Sequence, residues 1–395
     1  MIKLSDLTLT TPPSGIRAVF NRIAESEDVI SLALGEPDSH TSERFIEAAV
    51  KSMYSGRTHY TPNAGLMDLR RAIAESYGNR CILPEQVIVT AGGTEALLLI
   101  FMTLLNPGDE VVVMEPYWPT YLGQIRTVGA VPRFVRVYEE DGFVVRKENL
   151  NQAVNEKTRI ILLNSPANPT GAVIHKETME FIAKLAEERD LTVISDEVYR
   201  RMIYEEETYT SIYDVPGMEE RCLVVDSFSK TYAMTGWRIG YIIAPVHVAK
   251  ALETMHEYSV SCISEPTQRA AIAALKYGED FVRESLDSLK RQRDRIVEGL
   301  SGVPGLRCRK PEATFYLYFN IEDTGMRAEE FVYGLLEQEK LALAPGTAFG
   351  EGQESYIRLS FANAEETLDI AAERIRRFVH QNCRCAERRE GEAHI

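Results

Sequence analysis

The sequence predicts an α/β protein in which a mostly parallel, doubly wound sheet forms a large domain and a smaller α+β domain is attached to it. Three observations lead there. Short runs rich in valine and isoleucine alternate with segments of helical period over most of the chain. These runs are apolar at nearly every position, as strands covered by helices on both faces must be. From residue 279 the pattern changes to one long amphipathic segment followed by a different mixture of strands and helices.

The strand-like runs are QVIVT (86–90), EVVVME (110–115), RIILLN (159–164), LTVISDE (191–197), CLVVDS (222–227) and RIGYIIA (238–244). Between them, TEALLLIFMTLL (94–105) is apolar all round, and TMEFIAKLAEERD (178–190) sets Phe181, Ile182, Leu185 and Ala186 at helical spacing. Such alternation implies crossover units that place helices on both faces of the sheet. Residues 279–300 carry Val282, Leu286, Leu289, Ile296 and Leu300 on one face, and SGVPG ends that helix because its Gly and Pro cannot continue it. It reads as the bridge to the second domain, which holds strands FYLYFN (315–320) and YIRLSF (356–361), the helix 328–340 and a last helix over 364–382. The polar tail RCAERREGEAHI is expected to fray. The expected boundaries are 39–284 for the large domain and 1–38 plus 285–395 for the small one.

Of 395 residues, 45% are hydrophobic and 26% charged, a composition that excludes disordered, collagenous and coiled-coil chains. Lys and Arg total 44 against 59 Asp and Glu, so there is no electrostatic footprint for nucleic acid or an anionic membrane surface. Six scattered cysteines suggest a reducing compartment, and seven unclustered histidines argue against a metal site. The N-terminus lacks the pattern of a signal peptide, and no run of about 18 apolar residues occurs. The cytoplasm is the expected location.

In an open parallel sheet, ligands sit beyond the carboxyl ends of the strands, and the unusual residue types gather there. Ala91-Gly92-Gly93-Thr94 opens directly into a helix, whose amides and hydroxyl form a cradle for phosphate, although a Gly-Gly turn alone is more often just a turn. Trp118, in Glu115-Pro116-Tyr117-Trp118-Pro119, offers a flat ring for stacking or simply fills the core. Asn168 is held between prolines in a stiff turn. Asp196 interrupts an apolar strand, at a cost of several kcal/mol unless a cation meets it. Tyr199 follows it. The densest stretch is Ser227-Phe228-Ser229-Lys230, with Arg238 eight residues after the lysine. An amine in such surroundings can condense with an aldehyde once its pKa falls from about 10.4 toward neutrality.

An amine for an imine, a carboxylate for a ring cation, hydrogen-bonding Asn and Tyr, an aromatic plate and a phosphate cup with an added Arg are together the requirements of pyridoxal phosphate. On the S-x-S-K-x(7)-R stretch and the N-P-x-G turn, in this order, the chain resembles the fold-type-I pyridoxal-phosphate enzymes of the class I/II aminotransferases over essentially its whole length. The resemblance implies that Lys230 holds the cofactor covalently and moves a proton between the substrate α-carbon and the cofactor. Asp196 would pair with the ring nitrogen, Asn168 and Tyr199 with the ring oxygen, and Trp118 would stack. Gly92, Gly93, Thr94, Ser227 and Arg238 would hold the phosphate.

For the substrate, the resemblance assigns the α-carboxylate to Arg358 in YIRLSF, with Gly35, Trp118 and Asn168 beside it. The bland alternative for Arg358 is an edge-strand surface residue. Tyr60 matches a tyrosine that crosses to the neighbouring subunit's phosphate, which implies a homodimer with shared active sites. The chain departs from the family at Ser39-His40-Thr41-Ser42, where an aromatic and a proline are common, at Ala313-Thr314, where a glycine is usual, and at Thr94, where some aspartate-preferring relatives carry a basic residue. Arg17 is a candidate cation for an acidic side chain, with a helix-surface role as its alternative. The expected activity is transfer of an amino group from an L-amino acid to a 2-oxo acid, 2-oxoglutarate being the expected acceptor. A lyase, cyclase or oxidase using the same cofactor, and a non-catalytic regulator on the same fold, are the competing readings.

Overall fold

The computed structural model describes residues 2–10, 28–78, 80–205 and 209–383. The first strand, β1 (Ile30–Ser31), belongs to the smaller layer, and the next seven form the central sheet. These are β2 (Val87–Thr90), β3 (Glu110–Glu115), β4 (Val131–Arg136), β5 (Thr158–Asn164), β6 (Thr192–Asp196), β7 (Cys222–Ser227) and β8 (Gly240–Ile243). Their spatial order is β2-β8-β7-β6-β5-β3-β4, and every neighbouring pair is parallel except those made by β8, which runs antiparallel to both β2 and β7.

The near-continuous burial of β2, β5, β6, β7 and β8 explains why they were legible as apolar runs: helices cover both faces. Each Val or Ile so buried contributes about 1.5–3 kcal/mol of transfer free energy. Helix Gly93–Leu104, apolar all round, packs against the sheet, and helix Lys176–Glu188 buries Met179, Ile182, Leu185 and Ala186. Two features differ from expectation. Strand β4 carries no apolar run, because as an edge strand it leaves Val131, Arg133, Phe134 and Arg136 exposed. The sixth run begins its strand at Gly240, after Arg238, and reverses direction within the sheet.

The rest of the chain builds a second layer. Helix Glu279–Leu300 buries Val282, Leu289, Ile296 and Leu300 and packs on helix Glu365–Asn382. Strands β9 (Arg307–Cys308), β10 (Tyr316–Asn320), β12 (Ala344–Pro345) and β13 (Tyr356–Ser360) form an antiparallel sheet in the order β12-β13-β10-β9. Strand β11 (Leu341–Ala342) pairs in parallel with β1. The N-terminal segment is thereby sewn into this layer: Leu32 donates its amide to Ala342 and accepts the amide of Ser360 at 2.7 Å. That stitching carries residues 33–35 to the carboxyl edge of the large sheet. Among the described residues no helix is long and apolar enough to cross a membrane.

Candidate active site

A cavity of about 290 Å³ lies where the carboxyl ends of β5, β6 and β7 meet the N-terminal segment and β13. One end is rich in donors. Gly93 and Thr94 open a helix there, Ser227 and Ser229 add hydroxyls, and Arg238 adds a guanidinium. Gly92, just behind this lining, has φ +82, and a Cβ at that position would lie 2.8 Å from Arg238 Nη2, so only glycine allows the turn and the guanidinium to approach this closely. Arg238 itself sits in the left-handed region at φ 53 and is steadied by the Thr235 carbonyl at 2.9 Å. Convergent amides, hydroxyls and a fixed cation can hold a phosphate.

The middle of the cavity is acidic and aromatic. Asp196, the last residue of β6, is buried, and its Oδ2 accepts the Tyr121 hydroxyl at 2.6 Å. Burial pushes its carboxyl up to about 7, and the charges of Asp226 and Glu197 add to that, while the Tyr121 and Val198 donors oppose it. A cationic nitrogen beside it would remove the cost of ionisation, so the carboxylate fits a protonated pyridine. Trp118, just before helix Thr120–Thr127, and Tyr121, in its first turn, meet edge to face at 5.4 Å. Asn168 takes its position from Asn164, whose Oδ1 accepts the Asn168 amide at 2.8 Å and whose Nδ2 reaches the Asp196 carbonyl at 3.2 Å. The Tyr199 hydroxyl lies 3.0 Å from that of Tyr316.

Two cations complete the site. Lys230 Nζ donates to the Gly35 carbonyl at 2.5 Å. Burial brings its ammonium down to about 8; Glu36 opposes this, and Arg358 and Arg238 reinforce it. Arg358, in the middle of β13, is 2% exposed and donates to Asn168 Oδ1 at 3.0 Å and to the Ala33 carbonyl at 2.6 Å. Its Nε is buried without a protein partner, and burial works against its charge. A buried guanidinium with donors to spare can take a carboxylate.

The cavity gathers Gly35, Gly93, Thr94, Trp118, Asn168, Asp196, Tyr199, Ser227, Lys230, Arg238 and Arg358 from the sequence-predicted set. Tyr60 is not among its walls; it is exposed on the surface. Arg17 lies outside the described residues. Tyr121, Asn164, Thr235 and Tyr316 line the cavity without having been assigned a role from the sequence, and Ser229, quoted there only as part of a motif, lines it too.

The sequence pattern of the family described as aminotransferase class I and II matches residues 27–375. The aspartate aminotransferase of Pyrococcus horikoshii is 38% identical over 94% of this chain and 96% of its own length. The aromatic-amino-acid aminotransferase 2 of Thermococcus litoralis is 36% identical over 96% of this chain and 98% of its own. Among solved structures, the aspartate aminotransferase of Thermus thermophilus with maleate superposes with a TM-score of 0.91 at 37% identity, covering 96% of this chain and all of the other. With the family's pattern spanning nearly the whole chain and such relatives matched end to end, the protein belongs to the class I and II aminotransferases, enzymes that work with pyridoxal phosphate.

Proposed function

We propose that this aminotransferase moves the amino group of an L-amino acid to 2-oxoglutarate using the residues that line the cavity. The cofactor, when bound, supplies an aldehyde that condenses with amines and a ring that draws electrons from the substrate α-carbon. Lys230 is the tethering amine and the base that moves a proton off and onto that carbon; with its ammonium near 8, a useful fraction is neutral at physiological pH. Asp196 keeps the ring nitrogen protonated, Asn168 and Tyr199 hold the ring oxygen, and Trp118 covers the ring face. Gly92, Gly93, Thr94, Ser227 and Arg238 hold the phosphate. Arg358 takes the α-carboxylate of both substrates, with Gly35, Trp118 and Asn168 bounding the same space.

One observation carries this reading. Lys230 donates to the carbonyl of Gly35 and Arg358 to that of Ala33, two residues apart on the N-terminal segment. A carboxylate on Arg358 therefore sets the adjacent α-carbon within reach of the Lys230 amine, and the geometry serves donor and acceptor alike.

The same reading makes the protein a homodimer in which Tyr60 reaches the neighbouring subunit's phosphate. In support, helix Glu43–Tyr54 exposes Ile46, Val50, Met53 and Tyr54, and Tyr60 is 92% exposed. It assigns cofactor binding to residues 39–284 and carboxylate binding to 1–38 plus 285–395; the pairing of β1 with β11 supports that division. A cytoplasmic location fits the free thiols of Cys81, Cys222, Cys262 and Cys308. Because relatives carry aspartate and aromatic-amino-acid names, aspartate and phenylalanine head the donors to test. Purified protein mixed with each donor and 2-oxoglutarate should form glutamate; release of ammonia with no glutamate would overturn the reading.

A further inference from the structure

Glu115, at the end of β3, is 8% exposed, and its Oε1 accepts the amide of Glu351 at 2.9 Å. Two residues on, the Tyr117 amide donates to the Phe349 carbonyl at 2.8 Å. From the neighbouring edge strand, Arg136 donates to the carbonyls of Gly352 at 2.5 Å and Glu351 at 3.3 Å. The backbone of 349–352 is thus clasped to the rim of the large sheet. Its shape is fitted to the clasp: Gly350 has φ +145, and a Cβ there would collide with the Glu115 carboxylate.

This loop carries Phe349, which is fully buried and whose ring centre lies 4.7 Å from the Arg358 guanidinium. Tyr316 flanks the same guanidinium at 4.4 Å. Strand β12, just before the loop, pairs Ala344 with Arg358. A bidentate grip on a carboxylate requires the plane of the guanidinium to be fixed, and aromatic plates fix it. Neither Glu115 nor Arg136 nor Phe349 lines the cavity, so none touches the reactants.

We propose that Glu115 is a positioning residue for Arg358, acting through the clasped loop and the Phe349 ring. The inference rests on the reading of Arg358 as the carboxylate grip. Loosening the clasp tilts the guanidinium without disturbing the phosphate cup or the amine, so both substrates lose affinity together while cofactor binding stands.

The test is steady-state kinetics on the holoenzyme. Glu115→Ala should raise KM for the amino donor and for 2-oxoglutarate alike, each by about tenfold, with kcat changed less than about twofold. The dissociation constant of pyridoxal phosphate should not move. Glu115→Gln, which keeps an acceptor oxygen for the Glu351 amide, should restore KM, and in a Phe349→Ala background Glu115→Ala should add nothing. Arg136→Gln perturbs the clasp from its exposed side and should raise both KM values by about threefold, which decides the matter if Glu115→Ala does not fold. Unchanged KM values, a matching loss of cofactor affinity, or full additivity with Phe349→Ala would overturn the proposal. Arg358→Ala separates the two levels. If it raises KM and Glu115→Ala does not, the clasp alone is wrong; if Arg358→Ala leaves KM unchanged, the carboxylate grip is wrong and the clasp falls with it.

Discussion

Tyr121 points its hydroxyl at the Asp196 carboxylate across 2.6 Å, and both groups are buried. The donor stabilises the ionised carboxylate against the pull of burial, which by itself drives the pKa up. Tyr121→Phe removes that help, so the Asp196 pKa in the cofactor-free protein should climb above about 7. On the role proposed for Asp196, capture of the cofactor needs the ionised form. The acidic limb of capture rate against pH, followed by cofactor absorbance, should therefore move to higher pH. A limb that stays put would show that the hydroxyl plays no such part.

Asp196 also links stability to pH. Burial raises its pKa from 3.8 to about 7, so between those values the folded chain keeps a proton that the unfolded chain releases. Its contribution to the stability of cofactor-free protein is best below about pH 4 and declines as pH rises to about 7, beyond which the full cost of the buried charge is present. Asp196→Asn should then raise the Tm of cofactor-free protein at pH 8 by a few degrees, measured calorimetrically. It should also lower kcat by at least about 10²-fold, a gain in stability at the expense of function. A lower Tm for the variant would contradict this account.

Lys230 titrates the other way. Its ammonium, brought down to about 8 chiefly by burial, should make covalent capture of pyridoxal phosphate rise with pH, reach half its maximum near 8 and level off above. Lys230→Ala should abolish turnover, and borohydride should fix no cofactor to that chain. Labelling of a different lysine would move the assignment.

At the phosphate end, Gly92→Ala places a Cβ against Arg238 in a backbone conformation that side chains rarely adopt. Strain of about 1–3 kcal/mol predicts weaker binding of pyridoxal phosphate by roughly 5- to 150-fold. Pyridoxal, which has no phosphate, should be affected far less. Equal losses for the two ligands would mean that the turn does not serve the phosphate.

The exposed Tyr60 gives a prediction about assembly. Tyr60→Phe should weaken cofactor binding, and hybrids of Tyr60→Phe with Lys230→Ala subunits should recover activity, because one of the two sites in each hybrid dimer carries neither lesion. Hybrids no more active than the parents would exclude shared sites.

The sheet was legible because parallel strands buried on both faces read as unbroken apolar runs, and Asp196 and Arg358 were legible because a charge in such a run has no structural excuse. Strand β4 escaped because an edge strand with Arg133 and Arg136 exposed has the composition of a loop. Tyr121 and Tyr316 escaped for the opposite reason: an aromatic residue in a helix or a buried strand looks like core, and only the placement of Asp196 against one and Tyr199 against the other reveals that their hydroxyls are engaged. The role proposed for Tyr60 rests on a family pattern and not on any property a single chain displays.

The reversal of β8 has a consequence for how Lys230 and Arg238 are kept in step. A strand running against its neighbours begins where they finish, so Arg238 arrives at the same rim as Lys230 after a short local turn, with no long excursion across the back of the sheet. The tether proposed for Lys230 and the phosphate anchor proposed for Arg238 would thus share one compact piece of backbone. Motion of that piece would carry Lys230 and Arg238 together, so the amine and the guanidinium would keep their spacing as the surrounding elements shift.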